Sequence, residues 1–326
     1  MSSIPTILIL DAPPAAVGAE LEVYAACGVA TRVVEAKSLS ADELGAELAG
    51  ATILQTWHAP VDAAILERAR RCLMVVQYGP GAGPEAPPID MEAARRLGIY
   101  VTSIPDFATD DWADETMHLM LDCLRQTPGL PVRSLGGLRL GLIGLGQVGR
   151  AVARRARPCG MELWGCDPYA PRDVFENEGV RSAPLEDLLG LVDIVSLHLP
   201  LTEDTAGFLS APRLRLMKEK SVLICTSQPD LVDLAALAES MDRGRPIVAA
   251  FDSDLSSRVS PAHPILSQSG LRHHRRRAGT SRQCAEALRR RAAQIVLHLL
   301  RGSRPAHLQI DPACPRHVML LAGQEW

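Results

Sequence analysis

Residues 138–156 read LRLGLIGLGQVGRAVARRA, and Gly144, Gly146 and Gly149 stand there in a G-x-G-x-x-G spacing between an apolar run and a helical pattern. Few structures satisfy that arrangement. The first glycine permits a tight turn, the second leaves the backbone bare for close approach of a ligand, and the third lets the helix pack on the strand. The free amides at the helix start then meet an anion at the positive end of the helix dipole. Asp167 ends the next strand and can accept hydrogen bonds from both hydroxyls of a ribose. Its charge repels a 2′-phosphate, so the segment reads as a dinucleotide site that takes NAD(H) in preference to NADP(H).

The same strand–helix alternation runs along the whole chain. Apolar runs at 6–10, 31–36, 51–55, 73–78 and 99–104 read as buried strands, and Ser40 with Glu43 offers a capping box for a helix over 41–48. A long amphipathic helix follows over 110–126, then a Pro/Gly stretch at 127–137. A second strand series occupies 138–144, 161–167, 193–199, 221–227 and 246–252, and a helix near 281–301 closes it. Two such series in 326 residues predict an α/β protein of two domains, each with a parallel sheet covered on both faces.

Composition narrows the function. Apolar residues are 47% of the chain but Phe, Trp and Tyr only 4%, so Leu, Ala, Val and Ile must fill the cores. A net charge of −4 with few aromatics argues against a nucleic-acid partner. The eight cysteines are scattered without a C-x-x-C pair, as buried thiols of a reducing compartment are. Asp11 interrupts the first apolar run, and no run approaches the ~20 residues of a membrane span. The expectation is a cytoplasmic protein that acts on a small molecule and not at a membrane.

The motifs GLIGLGQVGRAVA (141–153), CDPY (166–169), DIVSLHLPLTEDTAGFLS (193–210), LMKEKSVLICTS (216–227), LVDLAALAESMDRG (231–244) and AAFDSD (249–254) together resemble the D-isomer-specific 2-hydroxyacid dehydrogenases, including the C-terminal-binding-protein corepressor branch. The resemblance implies two Rossmann-like domains with a cleft between them. One is a flavodoxin-like substrate domain over 1–106 plus 302–326, the other an NAD-binding Rossmann domain over 107–301. It also implies NAD contacts at Gly144, Gly146, Gln147, Val148, Gly149, Asp167, His198, Pro200, Thr205, Thr226 and Asp252, and a substrate loop at Tyr78, Gly79, Pro80 and Gly81.

The resemblance breaks where the family's chemistry lies. Oxidising a 2-hydroxyacid takes an arginine for the carboxylate and a histidine, oriented by a glutamate, for the proton. The family's NTxRG reads CTSQP here, so the arginine position holds Gln228. The glutamate position holds Ser257, and backward matching from the last helix puts Arg276 at the histidine position. Gln228 cannot grip a carboxylate as a charged fork, and an arginine stays protonated. Candidate replacements for the acid–base group are His273, His274 and His58, with Arg276 as an anchor for an anionic substrate. Pro80 removes one amide donor from the substrate loop, and Trp112 stands where the family has a valine beside the nicotinamide. The stretch 127–137 is too short for the family's dimerisation arm, so an altered oligomeric state is expected. These changes point to a diverged oxidoreductase, with a non-catalytic NAD(H)-dependent regulator and a non-redox enzyme as alternatives.

Overall fold

The computed structural model describes residues 5–12, 18–57, 59–78, 88–104, 106–313 and 315. The chain divides into two units, residues 1–107 with 282–326 and residues 108–281.

In the first unit, β1 (Thr6–Leu10), β2 (Ala30–Val34), β3 (Ile53–Thr56), β4 (Met74–Gln77) and β5 (Tyr100–Ser103) pair in parallel, and β13 (Leu308–Ile310) adds antiparallel to β5. The order β13-β5-β4-β3-β1-β2 is the flavodoxin-like arrangement with one added edge strand. Period-2 alternation supplies both cores. Ile7, Ile9, Ile53, Met74 and Val76 face one side, where they meet Tyr24 of α1 (Gly18–Ala26) and Leu288, Ala292 and Val296 of α11 (Arg282–Leu300). Leu8, Leu10, Leu54 and Val75 face the other, against α2 (Ala41–Gly50), α3 (Ala63–Arg68) and α4 (Met91–Arg96). The capping box at Ser40 and Glu43 is present. Strand β2 is an edge strand and is largely exposed, not buried as its apolar run suggests.

The second unit carries a wholly parallel sheet in the order β12-β11-β10-β9-β6-β7-β8. Its strands are β6 (Arg139–Ile143), β7 (Glu162–Cys166), β8 (Arg181–Ser182), β9 (Ile194–Leu197), β10 (Val222–Cys225), β11 (Val248–Phe251) and β12 (Leu271–His273). The winding reverses between β6 and β9, and the carboxyl ends at such a switch point are where open α/β sheets take ligands. Helices α5 (Thr109–Gln126), α6 (Gln147–Ala156) and α7 (Arg172–Glu178) cover one face. Helices α8 (Leu185–Leu191), α9 (Ala211–Leu216) and α10 (Leu234–Met241) cover the other.

One expected boundary is wrong. The sequence reading gives 107–301 to the NAD-binding domain, whereas α11 packs its apolar stripe on the first sheet and belongs to the first unit. An amphipathic stripe tells which face of a helix is buried, but not against which sheet. Among the described residues no helix is long and apolar enough to cross a membrane.

Candidate functional site

The glycine turn joins β6 to α6. Gly144 adopts φ +94°, and a Cβ there would stand 2.6 Å from the carbonyl oxygen of His198. A Cβ at Gly149 would collide with the carbonyl oxygen of Gly144, so the third glycine sets how closely helix and strand approach. Gly146 differs, because its backbone is ordinary and the space over its α-carbon is open. It caps α6 without a side-chain acceptor, which leaves the first amides of the helix for a ligand. Gln147 is exposed at the helix start, and Val148 packs on the core.

Asp167, just beyond β7, accepts hydrogen bonds from the Leu145 amide at 2.7 Å and from the amides of Tyr169 and Ala170 at 2.9 and 3.1 Å. Three backbone donors therefore hold its carboxylate beside the glycine turn. The residues fit a dinucleotide: a bare glycine over open space, uncapped helix amides and a fixed acid at the next strand end.

Other expected contact residues lie at neighbouring strand ends. His198 follows β9, and its Nε2 lies 2.9 Å from Ser196 Oγ. Burial of the ring pushes its pKa down to about 4, so the imidazole is neutral. Thr205 Oγ1 donates to the Pro200 carbonyl at 2.6 Å and fixes that loop. Thr226 Oγ1 lies 3.0 Å from Thr116 Oγ1 on α5. Asp252 is fully buried after β11, and its two oxygens accept from the amides of Arg277 and Ala278 at 2.7 and 3.0 Å.

The three residues that the sequence comparison sets against the family's chemical positions have the following partners. Gln228 Oε1 lies 3.4 Å from Arg258, whose guanidinium also pairs with Asp230 at 3.0 Å. Ser257 is exposed and donates to the Asp254 carbonyl at 2.8 Å. Arg276 is half-buried, within electrostatic reach of Cys225. Cys225 itself is fully buried, and burial pushes its thiol up to about 12, which makes it inert as a nucleophile.

His273 and His274 both come near carboxylates. His273 Nδ1 lies 3.5 Å from Asp254. His274 Nε2 lies 3.2 Å from Glu115 Oε1, and its Nδ1 lies 3.6 Å from Asp252 Oδ1. Glu115 is on α5, one turn after the half-buried Trp112. Its pKa is raised, first by burial and then by the Asp252 carboxylate, against the opposing pull of His118, His274 and Arg277.

Glu115 and Arg258 were not singled out from the sequence. Glu115 sits in a run with Asp110, Asp111 and Asp114. Asp110 and Asp114 pair with Arg155, and Asp111 accepts from Ser281. Helical phase does not set Glu115 apart from these acids, since Asp110 lies as near the buried stripe of α5.

In the first unit, Tyr78 follows β4 with its ring stacked on Trp57 at 4.4 Å and its hydroxyl donating to Glu20. That hydroxyl is committed to the interior. His58, Gly79, Pro80 and Gly81 lie outside the described residues.

A parallel sheet with this glycine turn and this acid defines a dinucleotide-binding protein of the Rossmann type. A model of the NAD-binding domain of the D-isomer-specific 2-hydroxyacid dehydrogenases matches residues 109–273. A glyoxylate reductase of Korarchaeum cryptofilum is 31% identical over 267 residues, covering 76% of this chain and 79% of that one. A D-3-phosphoglycerate dehydrogenase of Methanocaldococcus jannaschii is 27% identical over 270 residues, 78% of this chain but only 51% of the relative. A solved protein of Thermus thermophilus superposes with a TM-score of 0.75 at 29% identity, over 94% of this chain and all of that one. The D-lactate dehydrogenase of Aquifex aeolicus, solved with NAD and lactic acid, has a TM-score of 0.75 at 20% identity, covering 94% and 100% of the two chains, which is a likeness of fold. The chain belongs to the D-isomer-specific 2-hydroxyacid dehydrogenase family, and its second unit is an NAD-binding domain.

Proposed function

We propose that this protein is an NAD(H)-dependent oxidoreductase whose substrate chemistry departs from that of its family. One contrast carries the reading: the glycine turn with Asp167 is intact, while the positions for the carboxylate anchor and proton carrier hold Gln228, Ser257 and Arg276. The amides at the start of α6 hold the pyrophosphate, and Asp167 takes the ribose hydroxyls and disfavours NADP(H). Bound NADH supplies the hydride. Trp112 narrows the nicotinamide end, and Arg276 anchors an anionic substrate.

Relatives named glyoxylate reductase make glyoxylate the first substrate to try. The test is an NADH-fluorescence titration followed by a panel of glyoxylate, pyruvate, hydroxypyruvate and carbonyl compounds without a carboxylate. NADH binding with turnover of an atypical carbonyl supports the reading. Binding without turnover favours the alternative, a non-catalytic NAD(H)-dependent regulator, for which the self-satisfied side chains of Ser257 and Gln228 speak. No binding at millimolar NADH ends both.

A further inference from the structure

We propose that His274 and Glu115 together form the proton donor of this site, holding one transferable proton between them. The inference rests on the oxidoreductase reading and adds a residue, Glu115, from a helix that carries none of the three family positions.

The argument is one of counting protons. His274 Nδ1 lies 2.9 Å from the carbonyl oxygen of Arg275. A carbonyl only accepts, so Nδ1 carries the hydrogen. In a neutral ring Nε2 is then a bare lone pair. That lone pair faces Glu115 Oε1 at 3.2 Å, and neither atom has another hydrogen-bond partner among the described residues. Two bare lone pairs at that distance would repel. The contact is attractive only when one further proton lies between them, as imidazolium with carboxylate or as imidazole with carboxylic acid.

The surroundings keep that proton available. The side chains of His274 and Glu115 are 23% and 12% exposed, so the pair is shielded yet reachable. Asp252 stands 3.6 Å from Nδ1. Burial and then the Asp252 carboxylate raise the pKa of Glu115, against the opposing pull of His118, His274 and Arg277. Asp252 already accepts two backbone hydrogen bonds, so the trio is poorly furnished as a cation cage, although its ligand atoms lie within 4.8 Å of one another.

In the reducing direction the step balances. A hydride brings two electrons to the carbonyl carbon of the substrate, the C=O π bond breaks, and its oxygen takes the proton from the pair to become a hydroxyl. His274 is left neutral with hydrogen on Nδ1 and Glu115 is left a carboxylate. Water restores the missing proton. Glu115 acts through His274 and is the positioning residue of the two.

Three measurements on the whole protein test this. In the first, ¹⁵N NMR of the imidazoles across pH without cofactor is expected to find His274 protonated on Nδ1. Its titration is expected to move in Glu115→Gln and to be partly restored in Glu115→Asp. In the second, His274→Gln lowers NADH oxidation about 10²–10⁴-fold with the carbonyl panel, as loss of a general acid does, and Glu115→Gln displaces the pH profile of kcat. In the third, NADH affinity stays as in wild type for all three variants, which shows that they fold. A His274 ring protonated on Nε2, or a titration indifferent to Glu115→Gln, overturns the proposal even if no substrate has been found. Failure of the wild type to bind NADH overturns instead the reading beneath it.

Discussion

The carbonyl oxygen of Gly144 occupies the place where residue 149 would carry a Cβ. A methyl group there pushes α6 off β6, whereas a Cβ at Gly146, the residue that caps α6, has no protein atom within 4 Å. Gly149→Ala is expected to lose about 1–3 kcal/mol or more of stability, as overpacked sites do, and NADH binding with it. Gly146→Val is expected to keep its melting temperature within a few degrees and still lose NADH binding. Thermal melts and a fluorescence titration on both variants separate fit from function.

Pyruvate, glyoxylate and hydroxypyruvate are expected to be reduced far below the ~10 s⁻¹ of an ordinary enzyme. On the proposed reading, Gln228 and Arg276 supply neither the family's carboxylate fork nor its base. Steady-state NADH oxidation decides, and Trp112→Val tests whether the indole limits which carbonyl enters.

Acid should weaken the second unit through His198. The ring lies beneath the glycine turn with its Nε2 on Ser196, and its pKa is held near 4 by burial, below an unfolded value of ~6.5. The folded state takes up the proton later than the unfolded one. The associated stability is present above pH ~6.5 and is lost as pH falls towards 4, on the order of 2 kcal/mol for a partly exposed residue. Denaturant titrations of wild type and His198→Gln across that window should converge at the acid end.

Glu20 has the opposite sign. It is 1% exposed and accepts from Tyr24 at 2.9 Å, from Gln55 at 2.9 Å and from Tyr78. Burial raises its pKa, so the contribution of the neutral acid is whole below an unfolded value of ~4.3 and declines as pH rises towards the folded pKa. Glu20→Gln keeps a carbonyl acceptor without the charge. Its stability should hold level where that of the wild type falls, which chemical denaturation from pH 4 to 8 will register.

Assembly should differ from that of the family. Residues 127–137 form a short irregular connection between α5 and β6 that leaves Val132 69% exposed. Sedimentation is expected to report a monomer, or a dimer through another surface. An obligate-type dimer about the second unit, burying more than ~2,000 Å², would refute the expectation.

Much of the architecture was legible because glycine spacing and strand alternation are local. Gly144, Gly146, Gly149 and Asp167 lie within one β-α-β unit, and each has a reason that needs no distant partner. The allegiance of α11 was not legible, since Leu288 and Val296 could have met either sheet. Strands β12 and β13 have three residues each and offer no period to read. The pairing of His274 with Glu115 joins a loop to a helix far back in the chain, and nothing near either residue announces it. Gln228, Ser257 and Arg276 stand out as departures from the family's motifs in the sequence alone, because a motif shows its gaps more readily than its replacements.

Asp111 accepts hydrogen bonds from the backbone amide and the hydroxyl of Ser281, at 2.9 and 2.6 Å. One residue stands at the entry of the second unit and the other at its exit, so the segment begins and ends at a single knot. Its fold is closed before anything after Ser281 is needed. The first unit lacks both α11 and β13 until the last part of the chain is made. In chain order the inserted unit therefore has all its strands and helices by Ser281, while its host still lacks an edge strand, β13, and a covering helix, α11.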